Sequence, residues 1–172
     1  MPRHVVLIGL PGAGKSTAGR LAAEKLGAPF TDPDTLIVRR MQMPVARIFA
    51  EFGEVRFRQL EHEAVEEALG GPPGIVVPGG GWAAQPGHLE AARGRALVIY
   101  LKVLASTAVA RLPADHDRPM LLHENPMARM REILGNREAF YQRADQTIPN
   151  DKGLPAETAD EIVRLARQFA GW

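Results

Sequence analysis

The sequence predicts an α/β fold built on a parallel sheet, and three observations carry that expectation. Apolar strand-like runs alternate with helical stretches along the chain, which is the order a parallel sheet requires. The first run, Val5-Val6-Leu7-Ile8, leads directly into Gly9-Leu10-Pro11-Gly12-Ala13-Gly14-Lys15-Ser16. That is a complete G-x-x-x-x-G-K-[ST] loop, which belongs between a buried strand and a helix. Residues 96–101 form a continuous apolar run, as expected of a strand covered on both faces.

The elements follow in order. Residues 4–8 read as the first strand and residues 15–26 as a helix with Ala18, Leu21, Ala22 and Leu26 on its apolar side. Residues 29–32 form a short second strand. Residues 34–40 and 45–69 read as helical, with Pro44 and Gly53 as interruptions. Gly70-Gly71-Pro72-Pro73-Gly74 breaks the chain before a third strand at 75–77, which ends in Pro78-Gly79-Gly80-Gly81. A helix at 85–93, the strand at 96–101 and a helix at 105–112 come next. Residues 113–125 are polar and poor in core residues, and read as a mobile surface loop. A helix is expected at 126–143 and a last strand at Thr147-Ile148. A closing helix at 155–169 carries Ile162, Leu165, Ala166 and Phe169 on one face.

Bulk properties narrow the function classes. A chain of 172 residues fits one domain with a real core. Its net charge of +1 gives no support for a nucleic-acid or anionic-membrane surface. The absence of cysteine excludes disulfides, a thiol nucleophile and thiolate metal sites. The apolar runs are too short to span a bilayer, and the N-terminus enters the first strand without room for a signal peptide. A cytoplasmic monomer is therefore expected. Of the 21 basic residues 17 are arginine, whose planar fork of donors suits carboxylate and phosphate.

The glycine-rich loop carries the strongest chemical signal. Its backbone N–H groups and the following helix N-terminus point at one spot, where the helix dipole adds partial positive charge. Lys15 reaches the β- and γ-phosphates and the Ser16 hydroxyl ligates Mg²⁺. Asp32-Pro33-Asp34 ends the second strand, where ligand crevices of open parallel sheets lie. One carboxylate can serve a metal and the other a substrate, or the segment is a turn in which Asp34 caps a helix. Gly79-Gly80-Gly81 either lets a ligand sit against the backbone or is a flexible loop. Arg58, Arg118 and Arg137 are each unremarkable alone. The five histidines lack metal-ligand spacing, and the methionines read as packing residues.

Taken together, these segments resemble the shikimate kinase family along nearly the whole chain. The matching pieces are residues 9–17, Asp32-x-Asp34, Ile48-Phe49, Gly53-Glu54-x-x-Phe57-Arg58-x-x-Glu61, Gly79-Gly80-Gly81, Asp117-Arg118-Pro119, and Asn136-Arg137 with Tyr141. The resemblance implies a three-layer αβα sandwich with a five-stranded parallel sheet. It implies one P-loop kinase domain over residues 1–172, with a substrate-binding segment at about 33–60 and a lid at about 113–125. The implied reaction moves the γ-phosphoryl group of ATP to the 3-hydroxyl of shikimate, in aromatic amino acid biosynthesis. Asp34, Lys15 and Arg118 would be catalytic. Gly12, Ala13, Gly14, Lys15, Ser16, Thr17, Arg111 and Arg118 would bind ATP, with Arg111 near adenine. Asp34, Arg58, Gly79, Gly80, Gly81 and Arg137 would bind shikimate, and Ser16 and Asp32 would hold Mg²⁺. Val38, Gln42, Pro78 and Met120 depart from the family pattern without removing a proposed ligand contact. A gluconate kinase or a regulatory ATP-binding module are the alternatives.

Overall fold

One parallel sheet organises the molecule, in a computed structural model that describes residues 1–113 and 125–172. Its strands are β1 (His4–Ile8), β2 (Phe30–Thr31), β3 (Ile75–Val76), β4 (Ala96–Lys102) and β5 (Gln146–Pro149). Their spatial order is β2-β3-β1-β4-β5, every pair parallel. β1 is central, with Val5 opposite Ile75 on one side and Leu97 on the other. All five residues of β1 and the first six of β4 are buried. Helices therefore cover both faces of the sheet, giving the three layers expected.

The helices are α1 (Lys15–Leu26), α2 (Pro33–Met41), α3 (Val45–Gly70), α4 (His88–Ala92), α5 (Ala105–Arg111), α6 (Pro126–Tyr141) and α7 (Pro155–Phe169). Proline stands in the first turn of α2, α6 and α7, where its missing N–H costs nothing. α1 ends at Gly27, left-handed at φ 63°, with the Ala28 N–H returning to the Ala23 carbonyl at 2.9 Å. α1 packs on α7, α2 on α3, and α5 on α6.

Two apolar clusters result. The large one spans the sheet and its helices, and contains Leu7, Ile99, Tyr100 and Tyr141 among its fully buried members. A smaller one, Ile37, Val45, Ile48, Phe57 and Ala64, joins α2 to α3. Gly53, at φ 81° and ψ 169°, interrupts α3 as the sequence predicts.

Several boundaries differ from expectation. Asp32, not Asp34, caps α2. Its Oδ1 accepts the Asp34 N–H at 3.0 Å, because Pro33 takes the first helical position and moves the helix start forward. The helix expected at 85–93 shrinks to α4, which starts after Gly87 at φ 85°. The 113–125 loop, and Arg118 within it, lies almost wholly outside the described residues.

Candidate active site

A cleft of about 600 Å³ opens at the carboxyl end of the sheet. The segments that follow β1, β2, β3 and β5 line it, together with the end of α5. The sequence brings them together because parallel strands send all their carboxyl-end loops to one side. Gly12, Gly14, Lys15, Ser16, Thr17, Asp32, Asp34, Gly79, Gly80 and Arg111 all border it. Ala13 does not. Its side chain is buried in the core, and only its carbonyl faces neighbouring polar groups.

The phosphate loop is tightly built. Gly12 has φ 83°, and a Cβ there would collide with the Ala108 carbonyl of α5, so the loop can pass only as glycine. Gly14, left-handed at φ 88°, opens α1. Lys15 is buried, and its ammonium donates to the carbonyls of Gly9 (2.7 Å) and Leu10 (2.8 Å). Ser16 and Thr17 stay exposed in the cleft. Behind the loop, the buried Asn150 donates from Nδ2 to the Ala13 carbonyl at 2.8 Å. Arg111 donates from Nη2 to the Asn150 carbonyl at 2.6 Å and to the Asp151 carbonyl at 3.1 Å. The Asp151 carboxylate accepts from the Leu104 N–H (2.8 Å) and the Thr107 hydroxyl (2.7 Å), fixing the start of α5.

The triple glycine is the meeting point of the other candidates. A Cβ on Gly79 would lie 2.8 Å from Glu61 Oε2 and 3.6 Å from Asp34 Oδ1. On Gly80 it would lie 2.9 Å from Arg137 Nη1 and 3.0 Å from the Gly9 carbonyl oxygen. On Gly81 it would lie 2.6 Å from Arg58 Nη1. An added side chain on this loop would therefore displace the carboxylate of Glu61 or the guanidinium groups of Arg58 and Arg137. Arg58 also donates to Glu61 Oε1 at 2.9 Å and lies 3.5 Å from Glu54 Oε1. Arg58 does not border the main cleft. It faces a neighbouring hollow with Glu54, His62 and His88.

Two contributors were given no role from sequence, although Glu61 stood in a matched motif. Glu61 is fully buried beside Arg58, and its i, i+3 spacing from that residue on one helix was the available signal. Asn150 supports the phosphate loop across 137 residues, and nothing local marks it. Among the described residues, His4 and His88 are held by protein groups. His4 Nδ1 accepts the Gly74 N–H at 3.2 Å, and burial pushes its pKa down. His88 stacks between His62 and Trp82, at 4.9 and 5.3 Å between ring centroids, and burial lowers its pKa too.

Comparisons with known proteins agree with this geometry. The family model described as shikimate kinase matches residues 11–167. A shikimate kinase of Thermobifida fusca is 43% identical over 160 residues, covering 92% of each chain. Among solved structures, shikimate kinase from Acinetobacter baumannii in complex with shikimate superposes with a TM-score of 0.93 at 32% identity, covering 98% of this chain and 94% of that one. A gluconokinase from Sinorhizobium meliloti reaches 0.67 at 21% identity over 99% and 94%, a likeness of fold alone.

Proposed function

The chain belongs to the shikimate kinase family, and from that premise we propose how its residues carry the reaction. The activity is ATP-dependent phosphorylation of a shikimate hydroxyl, and we assign the 3-hydroxyl as acceptor. The observation that carries the assignment of roles is the triple-glycine loop. A side chain added to it would meet the phosphate loop at Gly9 and Pro11, the Asp34 carboxylate, and both Arg58 and Arg137.

Phosphoryl transfer needs alignment and charge neutralisation more than covalent chemistry. Backbone N–H groups of residues 12–17 cradle the ATP phosphates. Lys15 exchanges its carbonyl partners for the phosphoryl oxygens, and Arg111 lies beside the base. The Arg58 and Arg137 forks grip the shikimate carboxylate, which suits planar bidentate donors. Residues 33–60 shape the acceptor side, with their own small core. Asp34 accepts the proton of the attacking hydroxyl. Arg118 and the 113–125 lid would complete the phosphate side.

The residues also fit Mg²⁺. The Ser16 hydroxyl and the Asp32 carboxylate both border the cleft, a sparse oxygen donor set of the kind a nucleotide-borne Mg²⁺ uses with phosphates and water. No group of three or more acidic or imidazole side chains among the described residues could hold a metal alone. When bound, the ion neutralises developing charge on the phosphates. No helix among the described residues is long and apolar enough to cross a membrane, and the cytoplasm is our proposed location.

ADP release with and without shikimate tests the reading. Strong dependence on shikimate is expected. Turnover indifferent to shikimate, or driven by gluconate instead, would overturn it.

A further inference from the structure

The triple glycine must present fixed backbone groups, yet it has no side chains to hold it. Its carbonyls are all engaged. That of Gly79 accepts the Trp82 N–H at 3.1 Å and that of Gly81 the Ala84 N–H at 3.3 Å, both bonds of the local turn. The Gly80 carbonyl is held from elsewhere. It accepts the hydroxyl of Tyr141, from the end of α6, at 2.6 Å. Gly80 is also the residue packed between Arg137 and the phosphate loop.

Tyr141 is placed for this and little else. It is fully buried, and its ring lies 5.0 Å from that of Tyr100. The Tyr100 hydroxyl donates instead to Glu138 at 2.7 Å, so only Tyr141 of the pair reaches the glycine loop. Arg137 stands one helical turn before Tyr141 on α6, and its positive charge opposes the upward push that burial gives the tyrosine pKa. One side chain thus bonds the Gly80 peptide and lies within the electrostatic reach of a proposed acceptor-binding arginine.

We propose that Tyr141 is a positioning residue of the acceptor site. Its hydroxyl fixes the plane of the Gly80–Gly81 peptide and the attitude of Arg137 together. In a planar trans peptide, holding the Gly80 carbonyl aims the Gly81 N–H the opposite way. A triglycine segment without that bond samples many backbone states, and each must be lost again when the acceptor binds. The inference rests on the reading that this loop and Arg137 bind shikimate.

Tyr141→Phe keeps the buried ring and removes the bond. The shikimate KM should rise about five- to tenfold, the fold-change one hydrogen bond gives, while the ATP KM stays within about twofold. Tyr100→Phe is the matched control. It removes a hydroxyl from the same buried ring pair, and the shikimate KM should not change. An unchanged shikimate KM in Tyr141→Phe overturns the proposal, as does an equal rise in both KM values, which marks a merely structural role. Arg137→Lys separates the two levels. If it raises the shikimate KM while Tyr141→Phe does not, the positioning role fails alone. If neither variant moves it, the acceptor-site reading fails with it. Should Tyr141→Phe not fold, 3-fluorotyrosine at 141 supplies a more acidic, stronger donor. A lower shikimate KM then supports the role, and an unchanged one overturns it.

Discussion

Asp32 caps α2 and Asp34 does not, which makes single substitutions informative. Because Asp32 caps α2, Asp34→Asn should leave the helix intact. Its kcat should fall about 10²–10⁴-fold, the usual weight of a general base, with the melting temperature unchanged. Asp32→Ala should do the reverse to stability, losing about 1 kcal/mol of cap energy. Measuring kcat and melting temperature for both variants checks the division, and a normal kcat in Asp34→Asn would contradict the proposed base. Lys15 holds its charge on two carbonyls of its own loop. Lys15→Ala should therefore loosen the loop slightly and cost at least about 10² in kcat, as steady-state kinetics on a folded variant would show. Gln42 ends α2 at φ 54°, a left-handed conformation that strains most side chains by about 1 kcal/mol. Gln42→Gly should hold or raise the melting temperature, which calorimetry can decide.

At the scale of elements, what was legible in the sequence depended on how local its cause was. α1 and α7 were read to the residue, because helical periodicity and flanking Gly or Pro mark both ends. β2 and β3 proved to be two-residue strands, since pairing, not composition, decides where a ladder stops. The cap of α2 was read two residues late because proline at the first position was not weighed. The cleft residues of the phosphate loop and Asp32-x-Asp34 were legible as chemistry. The support given by Asn150 and the hydroxyl of Tyr141 was not, because their partners arrive through tertiary packing, 61 residues away for Tyr141 and Gly80, whereas Glu61 stood in a matched motif three residues from its partner Arg58. The small α2–α3 core gives a prediction at this scale. Ile48 is fully buried in it, and Ile48→Ala should destabilise by about 2–5 kcal/mol. Hydrogen exchange should show the loosening first in residues 33–60, with α1 and α7 less affected. Uniform loosening would mean that the two clusters act as one.

For the whole molecule, pH offers a test. Burial holds His4 and His88 below the ordinary imidazole value of 6.5, so below that pH the unfolded chain binds more protons than the folded one. Stability is therefore complete above about pH 6.5 and falls as the solution is acidified toward the folded-state values. Glu66, whose carboxylate is held below 4.5 chiefly by its Arg95 hydrogen bonds, contributes a separate loss only at lower pH. The melting temperature should drop between pH 7.5 and 5.5, and His88→Gln should flatten part of that slope; an unaltered slope would remove His88 from the account. The bond between Asn150 and the Ala13 carbonyl has a further consequence, for the way the chain is made. The phosphate loop leaves the ribosome well ahead of the side chain that braces it, which follows Ala13 by 137 residues. β4, β5 and α7 must be laid against β1 and α1 before the loop is supported. Contacts between such distant parts of a chain form slowly. Nascent chains halted before Asn150 should carry the whole signature and hold no nucleotide, so the first ligand waits for the segment that follows β5.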